Sequence, residues 1–178
     1  MAVLWPTEPG TLRTIFNENV LGAWPVDKVY FPCLRKNGKI FITTGEVAPL
    51  HPLPFNGVYN VSKTALDAYA VALRPEAGLL GAKVVTVRPG AVKTPLAEGS
   101  GPAMRLMSEK SAYFGGQAEK FQRIMDRFTG KMIPPESVAR KIYKVSLKKR
   151  PKYVYNIHNN ALLELLSALP DRRHVAII

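Results

Sequence analysis

Hydrophobic positions recur at helical spacing over residues 11–34, where Leu12, Ile15, Phe16, Val20, Ala23 and Trp24 follow a Pro/Gly-rich opening suited to a helix start. The spacing predicts one long helix, kinked or shortened at Pro25 and Pro32 and stopped at Gly38. Asn19 falls on its apolar stripe, so the helix turns an amide toward the interior, where it needs a partner. The run KIFIT, Lys39–Thr43, reads as a short buried parallel strand, and 45–57, with three prolines, as a loop. Helical period returns at Val58, Val61, Ala65, Leu66, Tyr69 and Leu73, predicting a helix over 58–74 that Pro75 and Gly78 end. A second strand covers 83–87 and breaks at Pro89-Gly90.

Residues 94–133 mix glycines with charged and apolar positions and read as a long, partly helical insertion. Pro134-Pro135-Glu136 opens a helix through Val138, Ala139, Ile142 and Val145, since proline is tolerated in a first turn. A third strand at 153–157 and a short apolar helix at 162–169 complete the order. Helices alternating with strands imply parallel pairing by crossover connections, hence an α/β fold with about three strands and flanking helices. No repeat or low-complexity tract interrupts it.

Composition agrees with a packed domain. The 178 residues (19.7 kDa) are 47% hydrophobic and 21% charged, which excludes a disordered, collagen-like or coiled-coil chain. Charge adds a question, because 25 Lys+Arg against 13 Asp+Glu give +12. The excess is C-terminal: residues 1–100 hold 10 basic and 7 acidic side chains, and 101–178 hold 15 and 6. Lys148, Lys149, Arg150 and Lys152 lie at a helix end before a strand, where cations complement the helix dipole, so a solvated face is expected and a nucleic-acid partner is not. Association with an anionic membrane surface stays open. Cys33 is the single cysteine, read as a packing residue, so no internal disulfide or Cys/His metal cluster is expected. No apolar run approaches a membrane span and the start lacks a signal peptide's pattern; a cytoplasmic location is the default.

The candidate chemistry lies in YNVSK, where Tyr59 and Lys63 stand at i and i+4 on one helical face. A cation beside the phenol favours the phenolate and moves the tyrosine down toward working range, which makes an acid/base pair. Taken alone, Y-x-x-x-K is more readily a solvated helix face.

Asn19 in NVLGAW, the strand KIFITTG, the loop LPFNGVYNVSK and the segment VVTVRPGAVKTP occur together in an order and spacing that resembles the short-chain dehydrogenase/reductase family. PPESVARKIY, KKRPKYVY and LLELLSALPDR resemble the last helix, strand and tail of its steroid- and retinol-dehydrogenase-like members. The resemblance implies a Rossmann-like doubly wound parallel sheet, an NADP or NAD cofactor, and hydride transfer to a carbonyl or from a secondary alcohol. It makes Tyr59 the proton donor or acceptor and Asn19 the anchor of a relay water. Lys63 activates Tyr59 and holds the nicotinamide ribose, while Pro89, Gly90, Val92 and Thr94 line the nicotinamide pocket. Residues 95–133 become a substrate loop, whose Met104, Leu106, Met107, Tyr113 and Phe114 suggest a lipophilic substrate. The helices 11–34 and 58–74 would pair across a homodimer axis.

Two departures stand out. The family's substrate-polarising serine falls 13 residues before the tyrosine, and that position holds Glu46; Thr44 is the nearby hydroxyl that a loop shift would bring in. No glycine-rich phosphate turn follows a strand anywhere. The expectation is therefore a partial domain, 1–178, containing only the C-terminal portion of the fold, with 95–133 inserted and 134–178 as C-terminal helix, strand and tail. A non-catalytic interaction or regulatory module is the alternative.

Overall fold

The computed structural model describes residues 8–34, 36–50, 54–99, 114–128 and 132–168. Three parallel strands, β1 (Lys39–Thr43), β2 (Lys83–Pro89) and β3 (Val154–Ile157), form a sheet in the order β1-β2-β3. The register pairs Lys39 with Lys83 and Thr86 with Val154. A β1–β2 connection between parallel neighbours needs a crossover, supplied by the 23-residue helix α3 (Gly57–Leu79).

Period-two alternation along the strands sends side chains to two apolar layers. Ile42 and Val84 pack with Leu66, Ala70 and Ala77 of α3, joined by Phe31 and Leu34. Val85 and Tyr155 pack on the opposite face against Val145 of a second helix, α5 (Pro135–Ser146). Helices thus cover both faces, the doubly wound arrangement expected of an α/β sheet. Between β2 and α5 lies α4 (Gly115–Phe128), anchored where Phe121 and Phe114 pack on the ring of buried Phe55. A short α6 (Ala161–Ser167) follows β3.

The expected single helix over 11–34 is instead α1 (Pro9–Phe16), a π-helical turn (Asn17–Leu21), α2 (Ala23–Tyr30) and a 3-10 turn (Phe31–Cys33). Pro25 falls in the first turn of α2, where a missing N–H costs little, so the bulge comes before it and not at it. Pro32 sits inside the 3-10 turn that ends the run, and the turn leaves Cys33 exposed, contrary to its expected packing role. Tyr69 donates to Asp27 at 2.8 Å and ties α2 to α3, with burial and that carboxylate together pushing its phenol far up. Nor does α3 stop at 74: Pro75 is exposed, so the carbonyl it orphans one turn earlier faces water, and buried Ala77 secures the extra turn.

The insertion's Met104, Leu106, Met107 and Tyr113 lie outside the described residues. Among the described residues, no helix is long and apolar enough to cross a membrane. Two lysines of the strands join the basic C-terminal region: the Lys39 ammonium donates to the Ser146 carbonyl at the end of α5 at 2.8 Å, and the Lys83 ammonium to the Lys149 carbonyl in the segment after it. Lys141 and Lys148 stand over the Tyr155 ring at 5.7 and 5.6 Å from its centroid.

Candidate active site

At the carboxyl ends of β1 and β2 a cavity of about 620 Å³ opens between the start of α3 and the segment after β2. Ligands of open parallel sheets sit at this end of the strands. Tyr59 and Lys63 face it from the first two turns of α3, with Thr44 beside them; Pro89, Gly90, Val92 and Thr94 face them from the other wall. That wall is fixed by the bridge between Val92 and Ile133, in which Lys93 N–H donates to the Ile133 carbonyl at 2.9 Å. A turn starting at Thr94 continues it, the Ala97 N–H donating to the Thr94 hydroxyl at 3.3 Å.

The Lys63 ammonium lies 5.7 Å from the centroid of the Tyr59 ring. Burial governs both groups, raising the Tyr59 phenol and lowering the Lys63 ammonium. The lowered tyrosine expected from a neighbouring cation is thus not what this arrangement produces: burial moves the phenol, and it moves it up. Asn19, in the π-helical turn, donates from Nδ2 to the Ser62 hydroxyl at 3.0 Å, and Ser62 donates to the Tyr59 carbonyl at 2.7 Å. That chain holds the first turn of α3 from behind. Asn19 itself does not line the cavity.

Glu46 is not opposite Tyr59. Its carboxylate turns away to the segment after β3, where Oε2 accepts the Asn160 N–H at 2.6 Å, while its own N–H donates to the Pro89 carbonyl at 2.9 Å. The residue facing the phenol is Gly45: a Cβ there would stand 4.0 Å from the Tyr59 oxygen. Gly45 has φ of +144°, a backbone region that side chains resist, so the chain passes the phenol where only glycine sits without strain. Thr44 is close by but committed, its hydroxyl donating to Asp67 Oδ1 at 3.2 Å.

Several contributors escape sequence reasoning. Asp67, two turns after Tyr59 on α3, receives a two-pronged ion pair from Arg88 at 2.9 and 2.6 Å, joining α3 to the strand that ends in Pro89. Gly90 is packed so closely beneath the segment after β3 that a Cβ would collide with the His158 carbonyl. Asn56 stands at the N-cap position of α3, without a side-chain capping bond, and lines the cavity three residues before Tyr59. The alternation of Thr43 and Thr44, and the helical phase of Asp67 relative to Lys63, are the signals that would have pointed to the ion-pair layer.

Residues 5–123 match the family model described as enoyl-(acyl carrier protein) reductase. The chain is 28% identical over 160 residues to the uncharacterized oxidoreductase YbbO of Escherichia coli (strain K12), covering 88% of this chain and 55% of that one. It is 33% identical over 76 residues to estradiol 17-beta-dehydrogenase 2 of Mus musculus, covering 43% of this chain and 20% of that protein. The fold resembles L-sorbose reductase from Gluconobacter frateurii complexed with NADPH and L-sorbose, with a TM-score of 0.68 at 18% identity over 91% of this chain and 62% of that one. A short chain dehydrogenase from Burkholderia cenocepacia J2315 in complex with NADP gives 0.64 at 17% identity, over 99% and 62%. The chain spans about half the length, or less, of the curated relatives it matches.

Proposed function

Because the chain belongs to the short-chain dehydrogenase/reductase family, we propose that it carries out hydride transfer between a nicotinamide cofactor, NADP or NAD, and a carbonyl or secondary alcohol. The observation that carries this reading is the convergence of Tyr59, Lys63 and the Pro89–Gly90 turn on one cavity at the carboxyl ends of the strands. The Lys63 ammonium is desolvated and, among the described residues, has no hydrogen-bond acceptor, which fits a ligand that brings its own oxygens, such as ribose hydroxyls. Pro89, Gly90, Val92 and Thr94 would form the wall beside the nicotinamide. When bound, the cofactor supplies the hydride.

Tyr59 supplies the proton. Burial keeps its phenol protonated, so it serves as general acid to the oxygen of a carbonyl undergoing reduction. Lys63 then stands by the phenolate that remains, and opposite charge at this range favours it. Asn19 holds Tyr59 through Ser62, and its amide oxygen is the group for anchoring a relay water. The apolar wall of Val92, Pro95 and Leu96 supports a lipophilic substrate. A homodimer through α2 and α3 belongs to the same reading, as does a reducing, cytoplasmic setting in which exposed Cys33 stays a thiol.

The test is cofactor binding by the purified chain, followed through NADPH fluorescence and calorimetry. Saturable binding is expected, with Tyr59→Phe retaining it and abolishing NADPH oxidation on a carbonyl substrate. Failure to saturate at millimolar NADPH would sink the oxidoreductase reading in favour of a non-catalytic interaction module.

A further inference from the structure

We propose that the side-chain amide of Asn56 is the hydrogen-bond donor that polarises the substrate carbonyl, a step that rests on Tyr59 being the proton donor of the reaction. A carbonyl receiving hydride builds negative charge on oxygen, and a second fixed donor beside the acid stabilises that charge most where water is excluded. The usual hydroxyl has no counterpart here. Gly45, which faces the Tyr59 oxygen, has no side chain. The Thr44 hydroxyl is buried and donates to Asp67 at 3.2 Å, and the Glu46 carboxylate is turned to Asn160. Thr43 also touches the cavity, but it stands in the opposite phase of the strand to Ile42 and Thr44, so its hydroxyl leaves on the sheet face away from α3 and from Tyr59.

Asn56 has the qualities these residues lack. It lines the cavity and stands three residues before Tyr59 at the start of α3, a spacing that places both side chains on one face. An asparagine at a helix N-cap ordinarily accepts a first-turn N–H through its side-chain oxygen, yet Asn56 makes no such bond. Its backbone carbonyl does accept the Asn60 N–H at 2.9 Å, so the residue is fixed while its amide, among the described residues, has no hydrogen-bond partner. A carboxamide offers two N–H donors and no titratable proton, so it can polarise an oxygen without competing with Tyr59 for the acid role. The position is accessible to substrate and half-buried.

The experiment uses the whole chain with NADPH and 9,10-phenanthrenequinone as the carbonyl probe, comparing the parent with Asn56→Leu and Asn56→Asp. The first variant removes all polarity; the second keeps shape and capping ability but leaves only acceptors. NADPH affinity should stay within about twofold in both, whereas kcat should fall about a hundredfold, the usual effect of losing one oxyanion donor. A second readout is the carbonyl stretch of the quinone bound beside oxidised cofactor, which should move to higher frequency in both variants. Turnover within threefold of the parent in either folded variant, or an unmoved stretch, overturns the assignment. Loss of NADPH binding or turnover in the parent itself overturns the oxidoreductase reading instead, so the two failures are distinct.

Discussion

Glu46 carries its carboxylate into the joint where all three strands end. Only 8% exposed, it sits beside the backbone of Gly90 and accepts from Asn160, with burial raising its carboxyl above the ordinary range, the Asn160 bond opposing, Glu164 adding to the rise and His158 opposing. A carboxyl that titrates higher folded than unfolded favours the protonated native state, so its contribution to stability is lost as pH rises through the folded value. Glu46→Gln keeps an acceptor for Asn160 without the buried charge. Its melting temperature should match the parent's in acid and equal or exceed it at pH 7; a parent that gains on the variant as pH rises contradicts this. Glu46→Ala, which removes the carboxyl that accepts the Asn160 N–H, should cost about 1–3 kcal/mol in acid and less at pH 7, where the parent has lost the contribution of its protonated carboxyl, read by urea unfolding. The pair Tyr59 and Lys63 was legible from spacing because a helix converts i and i+4 into proximity. Glu46 was not, because counting 13 residues back from Tyr59 crosses the proline-rich loop, and a loop's path does not preserve register.

At the level of elements, α3 positions the site through a polar layer set within an otherwise apolar face. Asp67 accepts from Arg88 at the end of β2 and from Thr44 at the end of β1, so one carboxylate fixes the two strand ends that lead into Gly45 and Gly90. Both ion-pair side chains are largely buried, at 17% and 12% exposure. Asp67→Ala should cost about 3 kcal/mol, because it strands a buried guanidinium, and should weaken NADPH binding by displacing both walls. Replacing the two together, Asp67→Leu with Arg88→Met, should recover most of the stability but not the binding. A double variant destabilised by the sum of the two single replacements would show that the residues act independently. Strand and helix positions were readable here from pattern alone, since α3 buries one phase of its period and β1 and β2 are short runs rich in β-branched residues, β2 buried on both faces. The π-helical turn and the passage of α3 beyond Pro75 were not, because both depend on which carbonyls face water, a property of packing and not of sequence spacing.

On the scale of the whole molecule, charge and apolar surface separate. Around the end of α5 Lys39 donates to the helix's last carbonyl, Lys83 to the Lys149 carbonyl beyond it, and Lys141 and Lys148 cover Tyr155, a disposition that gives these cations structural roles and weakens the case for a nucleic-acid partner. That the two apolar layers lie on opposite faces followed from the alternation of helices and strands; which exposed faces stay apolar did not, because periodicity marks what a helix hides and says nothing of what its neighbours leave open. The open apolar surface lies on α2 and the far end of α3: Trp24 is 56% exposed and Val29 65%, with Val26, Tyr30, Leu79 and Leu80 also exposed. A cleft of about 250 Å³ between the two helices is lined by Trp24, Phe31, Tyr69 and Leu73. Concentrated apolar surface of this kind favours association, and two copies meeting through the same helices would bury it symmetrically about a two-fold axis. Sedimentation velocity at 1–100 µM should therefore give a dimer mass, and Trp24→Glu with Val29→Glu, both exposed and remote from Tyr59, should shift it to monomer while leaving NADPH affinity unchanged. A parent that remains monomeric at 100 µM refutes the dimer, and a charged variant that stays dimeric moves the interface to another face.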